Sequence, residues 1–360
     1  MSSVIKIRKT RRRNMRNMSN STHVSDNKNE KHSNNRSKSC KLLCYDELPD
    51  YMKDNEFILK YYRAEWSLKN AFFSLFMWHN ETLNIWTHLV GFALFVGLTV
   101  VNAAHVSEAV DLFGLFRTSS SGPSTNSSHD SGNLLLDMTK LLDVNHTNPN
   151  GVHQTRHIDD GAVRWPFYIY LSGSMFCLIS SSVCHLFCCH SHHLNLWLLR
   201  MDYTGIAVMI VTSFFPAMYY IFQCQPVWQI TYLVGISIFG AFTIVTLLSP
   251  TLSSGRCRNF RAILFVSMGL FGVIPAIHAC ILNWDNPRRN LTLAYEAGMA
   301  LSYLTGTVFY VSRIPERWKP GFFDLVGQSH QIFHVFVVIG ALTHYGAALV
   351  FMEYRDQVKC

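Results

Sequence analysis

The sequence predicts an all-α membrane protein, a bundle of seven transmembrane helices with a cytosolic N-terminus and an outside C-terminus. Three observations carry this. The 360 residues are 49% hydrophobic and only 15% charged, whereas a water-soluble chain typically has about 25% charge. The apolar residues, 25 Phe among them, form long runs instead of alternating with charge. The 31 Lys and Arg fall unevenly between those runs, so the net charge of +8 reads as membrane topology and not as a nucleic-acid surface. The ten Cys show no spacing of a disulfide framework or a Cys-x-x-Cys zinc knuckle.

In chain order, residues 1–44 are rich in Asn and Ser and basic from Lys6 to Arg16. No apolar run follows the basic one, so this is no signal peptide. Its composition predicts a disordered cytosolic tail, open to a cytosolic protein partner. Over 45–83, Tyr51, Phe57, Ile58, Tyr61, Tyr62, Trp66, Phe72, Phe73 and Phe76 alternate with Lys and Glu. That pattern predicts one or two amphipathic helices on the membrane surface.

The transmembrane domain spans 84–350. Its apolar segments run over 84–104, 165–187, 201–222, 228–248, 262–282, 293–312 and 328–350, each enough for ~30 Å of hydrocarbon. The loop over 105–164 is the only long one, and a short tail (351–360) closes the chain. With the N-terminus inside, the cytosolic side holds 23 Lys and Arg and the opposite side 8, the bias that sets orientation. The glycosylation sequons at Asn126 and Asn145 then fall in the non-cytosolic loop.

This topology gathers polar residues at one depth. His330 and His334 are four apart and share one helical face. Neutral imidazoles at that spacing make half of a tetrahedral zinc site, although Gln331 stands where His-Glu-x-x-His has its Glu. His185 closes the second span, at the same cytosolic level, and Asp202 opens the third. Three His with an open fourth position is a catalytic zinc set, in which a water's pKa falls to about 7. Asp202 either holds and deprotonates that water or is the fourth ligand. Ser181, one turn before His185, either bonds substrate or water or packs between helices. Core His, bonded to one another or snorkelling to the interface, would give the same pattern without metal. His190, His192 and His193 look like a cluster but read better as a solvated loop. Cys188 and Cys189 are candidate palmitoylation sites. His344 and His278 lie too far away for the same metal and read as helix–helix hydrogen-bonding groups. His88 packs near the site.

Four motifs in order, Asn80-Glu-Thr-Leu-Asn-Ile-Trp-Thr-His88, Ser181-x-x-x-His185, Asp202-Tyr-x-Gly205 and Ser329-His-Gln-Ile-Phe-His334, resemble the progestin and adipoQ receptor family. That family includes the adiponectin receptors and is related to haemolysin III-type proteins. The Lys41-Leu-Leu-x-Tyr45-Asp-Glu-Leu-Pro segment leading to Trp78-His-Asn-Glu-Thr looks most like the plant heptahelical branch. The resemblance covers about residues 45–350. It implies zinc (Zn2+) on His185, His330 and His334, with Asp202 serving the water and Ser181 beside the metal. It also implies a ceramide-like lipid substrate, a sphingolipid amide, and a part in hormone, sugar or stress response. The long first loop departs from the animal receptors and speaks against a protein ligand like adiponectin, so the extracellular ligand is open. Two readings follow: a membrane zinc hydrolase in the plasma membrane or an endomembrane, or a signalling receptor whose zinc is structural.

Overall fold

The computed structural model describes residues 41–103, 163–249 and 257–358. The chain divides into two units, Met1–Ser39 and Cys40–Cys360, and every described residue belongs to the second. The basic tail up to residue 40, the loop from 104 to 162 with its sequons, and the last two residues lie outside the described residues. Within them the fold is helical, apart from an isolated antiparallel bridge between Leu43 and Tyr62.

The helices are α1 (Leu68–Phe73), α2 (Thr82–Ala103), α3 (Trp165–Phe187), α4 (His192–Ile221), α5 (Pro226–Leu247), α6 (Arg258–Phe271), α7 (Val273–Leu282), α8 (Arg289–Ser312) and α9 (Ser329–Gln357). With α6 and α7 counted as one span, six helices are long and apolar enough to cross a membrane. α7 contains Pro275, which has no N–H to bond back to the Phe271 carbonyl, and the helix breaks at Gly272. The remaining predicted segment, 293–312, is the helix α8. Its 24 residues reach about 36 Å, but Glu296 and a series of hydroxylated side chains leave it less apolar than the other six.

α3 and α9 form the centre. In each, 56% of the most apolar window is buried, against 11% for α6–α7. Tyr170, Leu171, Leu178, Phe95 and Ile236 fill the core. Apolar side chains such as Val227, Ile238, Val245 and Ile281 point outward, as expected where lipid is the solvent. Gly205 lets α4 approach α3 closely: a Cβ there would lie 2.5 Å from Ser180 Oγ and 3.0 Å from Cys177 Cα. α4 begins at His192, nine residues before its predicted start. Ser191 caps it by accepting from the Leu194 N–H at 3.4 Å, and the polar His192, His193, Asn195 and Arg200 hide this first part from a hydropathy reading. α9 runs on through most of the predicted tail. Arg355 donates to the Ile221 carbonyl at 2.9 Å and to that of Tyr220, and this docks the last turn on the end of α4.

The 45–83 segment corrects the sequence reading. It holds only the six-residue α1 and three 3-10 turns. Tyr61 and Glu65 adopt positive φ, 67° and 55°, which no helix passes through. The aromatic spacing that mimics a helix belongs to an irregular strap with its own small core of Leu48, Ile58 and Tyr62. The strap is pinned by Arg63, 2% exposed. Its guanidinium donates to Ser74 Oγ (2.5 Å), the Leu186 carbonyl (3.0 Å) and the His185 carbonyl (2.7 Å). The last two are helix-end carbonyls with no partner inside α3. Arg63→Ala removes the charged donor from three buried acceptors, leaving the two carbonyls only weak thiol donors from Cys188 and Cys189, and should cost about 3 kcal/mol, measurable as a loss of thermal stability in detergent. Arg63→Lys should recover only part, because one ammonium cannot span the three positions.

Candidate metal centre

α3 brings His185 and α9 brings His330 and His334 to one point. Each offers a ring nitrogen, and the three nitrogens lie within 4.8 Å of one another. These residues could hold a metal ion, and among the described residues no carboxylate joins the group. His330 Nε2 is 3.3 Å from His185 Nε2, and the three ring centroids are 4.6–5.1 Å apart. His185 and His334 are 8% and 1% exposed.

The other edges of two rings are engaged. His185 Nδ1 lies 2.8 Å from Glu81 Oε2. His334 Nδ1 donates to the Asn84 carbonyl at 3.1 Å, with Thr87 Oγ1 at 3.4 Å. A carbonyl accepts only, and an ionised carboxylate likewise, so each Nδ1 carries the proton and each Nε2 presents its lone pair. Glu81 is fixed in turn. Asn84 Nδ2 donates to its Oε2 at 2.7 Å. The Glu81 backbone N–H donates to His79 Nδ1 at 3.1 Å, and His79 Nε2 donates to the Ser74 carbonyl at 3.2 Å. Burial, and then the Arg63 charge, push the His79 pKa down to about 3. The ring is therefore neutral at physiological pH and can accept from Glu81. The segment just before α2 thus orients a ligand on α3.

α9 places its two His by its own N-terminus. Gln331 Oε1 accepts from the backbone N–H of Gly327 (2.7 Å) and Gln328 (3.2 Å). Buried Glu316 accepts from the Ser329 N–H at 2.8 Å and from the Ser329 hydroxyl. A carboxylate at a helix start also suits the helix dipole. Gln331, at the Glu position of the zinc-protease motif, is thus a capping group.

Asp202 is buried on α4, near Ser181, whose side chain is its hydrogen-bonding neighbour. Ser181 is one turn deeper on α3 than His185. Among the described residues Asp202 does not join the three His in the group whose ligand atoms lie within 4.8 Å of one another. His88 lies flat against His334, with centroids 3.7 Å apart and ring planes 7° apart. His344 is held by Glu296 (3.0 Å) and the Ser213 carbonyl (2.8 Å), and His278 by Tyr232 (2.9 Å), the helix–helix roles expected of them. The loop reading holds for His190 and is corrected for His192 and His193. His192 and His193 open α4, His190 Nδ1 meets the Trp66 carbonyl at 2.8 Å, and His192 packs on Tyr51. Cys189 is 1% exposed, which removes it as an acylation site in this fold.

Sequence reasoning gave no role to Glu81 or Arg63, although Glu81 stands inside a quoted motif. An acidic residue just before an apolar helix reads as ordinary helix-start chemistry, and only the fold shows the imidazole across from it.

The haemolysin-III-related family profile matches residues 76–345. The chain is 54% identical over 319 residues to heptahelical transmembrane protein 1 of Arabidopsis thaliana, covering 89% of this chain and 83% of that one. It is also 54% identical over 330 residues to heptahelical transmembrane protein ADIPOR1 of Oryza sativa subsp. japonica, covering 90% and 88%. A Drosophila melanogaster adiponectin receptor protein is 34% identical over 319 residues, covering 88% of this chain and 61% of that one. With its apolar helices and buried His group, the chain belongs to the haemolysin-III-related family, as an integral multi-pass, adiponectin-receptor-like membrane protein of the plant heptahelical branch.

Proposed function

We propose that the chain is a zinc-dependent hydrolase of a lipid amide of the ceramide type, with α8 as the seventh span, the N-terminus cytosolic and the C-terminus outside. The observation that carries the metal is the 3.3 Å separation of His185 Nε2 and His330 Nε2. A tetrahedral ion with metal–nitrogen bonds of about 2.0–2.1 Å has ligand atoms about 3.3–3.4 Å apart. Three neutral imidazoles suit zinc and leave a fourth position free. Zinc bound there supplies a Lewis acid for a carbonyl oxygen and makes water acidic near neutral pH.

The chain's own groups do the rest. Asp202 takes the proton of the attacking water on a carboxylate oxygen. Ser181, against Asp202, holds that carboxylate or donates to the substrate carbonyl. Glu81 keeps the His185 proton on Nδ1. The apolar surroundings suit an acyl chain entering from the bilayer. Seven spans are supported by the pairing of Glu296 with His344, because a partnered carboxylate is one that α8 can carry into a membrane. The orientation rests on the Lys and Arg bias.

A second reading is a signalling receptor in which the ion only ties α3 to α9, and the receptor name of the Drosophila relative favours it. Metal removal separates the two. Dialysis of purified protein against a strong chelator should abolish release of fatty acid from a long-chain ceramide, and stoichiometric zinc should restore it. A metal-loaded protein inert across a panel of lipid amides and esters would leave the receptor reading.

A further inference from the structure

A second polar site lies away from the three His, where the ends of α6 and α8 meet the strap. A cavity of about 290 Å³ opens there, lined by Arg258, Asn259, Ser312, Arg313, Arg317 and Glu56 among others. Two of its guanidinium groups are braced from the strap. Arg258 pairs with Asp54. Arg313 pairs with Glu56 Oε2 at 2.7 Å and donates to the Asp54 carbonyl at 2.8 Å. Arg313 ends α8 in the left-handed region, φ 57°, which costs a side-chain-bearing residue energy and turns the chain sharply there. The Arg258 Nε–H is buried without a partner. Arg317 is exposed, and no partner among the described residues engages its guanidinium.

The charges leave a definite surplus. Three guanidinium groups face two carboxylates, and the α6 N-terminus adds about half a positive charge. The deficit is one anion. Planar guanidinium groups beside a helix N-terminus suit phosphate oxygens, with Asn259 and Ser312 as neutral donors. The position also speaks for a ligand with a tail. The cavity lies at helix ends, where a bilayer's headgroups would be. Phe260 and Ile263, one turn along α6, are 44% and 65% exposed, and Trp318 and Phe322 on the adjoining loop are 72% and 75% exposed. Aromatic side chains of this kind mark the membrane–water interface, and basic pockets between spans there take lipid headgroups. We propose that this cavity binds the phosphate of a singly charged anionic phospholipid. Such a lipid would bridge α6, α8 and the strap at a point apart from the three His.

The test uses the full-length protein in nanodiscs of phosphatidylcholine, with and without phosphatidylserine, followed by native mass spectrometry after extraction into detergent. Wild type should retain phosphatidylserine in preference to phosphatidylcholine. Arg317→Gln should retain it about fivefold less, the share of one interfacial Arg, and Arg317→Lys should fall between. Arg317 is exposed and bears no structural bond, so all three proteins should melt alike. The basic N-terminal tail is the same in each and cancels from the comparison. Equal retention by wild type and Arg317→Gln, or equal retention of the two lipids, would overturn the proposal. Displacement of the lipid by inorganic phosphate alone would assign the cavity to a soluble phosphate and overturn it as a lipid site.

Discussion

Asp202→Asn is expected to leave the metal content of the purified protein at the wild-type value and to lower lipid-amide hydrolysis by about 10²–10⁴-fold, the usual weight of a general base. The substitution is nearly isosteric. An Asn oxygen still accepts from Ser181, and the close α3–α4 contact at Gly205 is untouched, so the helices should stay in place. What is lost is a carboxylate oxygen able to take a proton. The metal should persist because, among the described residues, the nitrogens that could hold it come from His185, His330 and His334. Elemental analysis and fatty-acid release on one preparation of each protein decide the matter. A fall in metal with Asp202→Asn would make Asp202 a ligand. Unchanged hydrolysis would remove it from the chemistry. Ser181→Ala sharpens the result: a hydroxyl that merely packs can be removed with little effect on turnover, whereas one that holds Asp202 or the substrate cannot.

The centre of the site was legible because helical spacing is a local property. His330 and His334 are four apart, so any helix there stacks them. Counting residues along the second span suffices to bring His185 to their level. The failures share the opposite property. The Tyr and Phe of 45–83 have helical spacing, yet the strap follows its long-range bonds: Leu43 with Tyr62, the Leu59 N–H with Asp324, the Gly321 N–H with Phe57, and Arg63 with the end of α3. No short helical window of sequence contains both partners of any of them. The early start of α4 escapes the sequence for a different reason. A hydropathy reading finds apolar runs, and the first part of this helix carries His, Asn and Arg. It is helical because Ser191 caps it and because it packs on the strap, as His192 does on Tyr51. Gln331 shows the limit of motif spelling. Its position suggested a missing catalytic acid, but its amide caps the helix that presents the ligands.

Glu81→Ala is expected to weaken zinc binding by about 10–100-fold, the usual cost of losing a carboxylate behind a ligating imidazole, with the fold retained. Two contributions are removed together. The carboxylate fixes the His185 ring and its tautomer, so that Nε2 and not Nδ1 presents the lone pair. Its charge also partly balances a dication held by three neutral ligands, at a place where water screens little. Glu81→Gln divides the two. Its amide oxygen can still accept from Nδ1–H and keep the ring oriented, but the charge is gone. If orientation dominates, Gln binds zinc almost as wild type does and only Ala is weak. If charge dominates, both are weak. Competition with a chelator of known affinity gives the three dissociation constants. A packing residue without influence on the metal would leave all three alike. The same series bears on the choice between enzyme and receptor. With zinc saturating, Glu81→Gln should retain most hydrolysis if Asp202 is the base, because Glu81 lies on the far side of His185 from the metal position and touches no substrate. Loss of hydrolysis in fully loaded Glu81→Gln would move the essential proton acceptor from α4 to the residue that precedes α2.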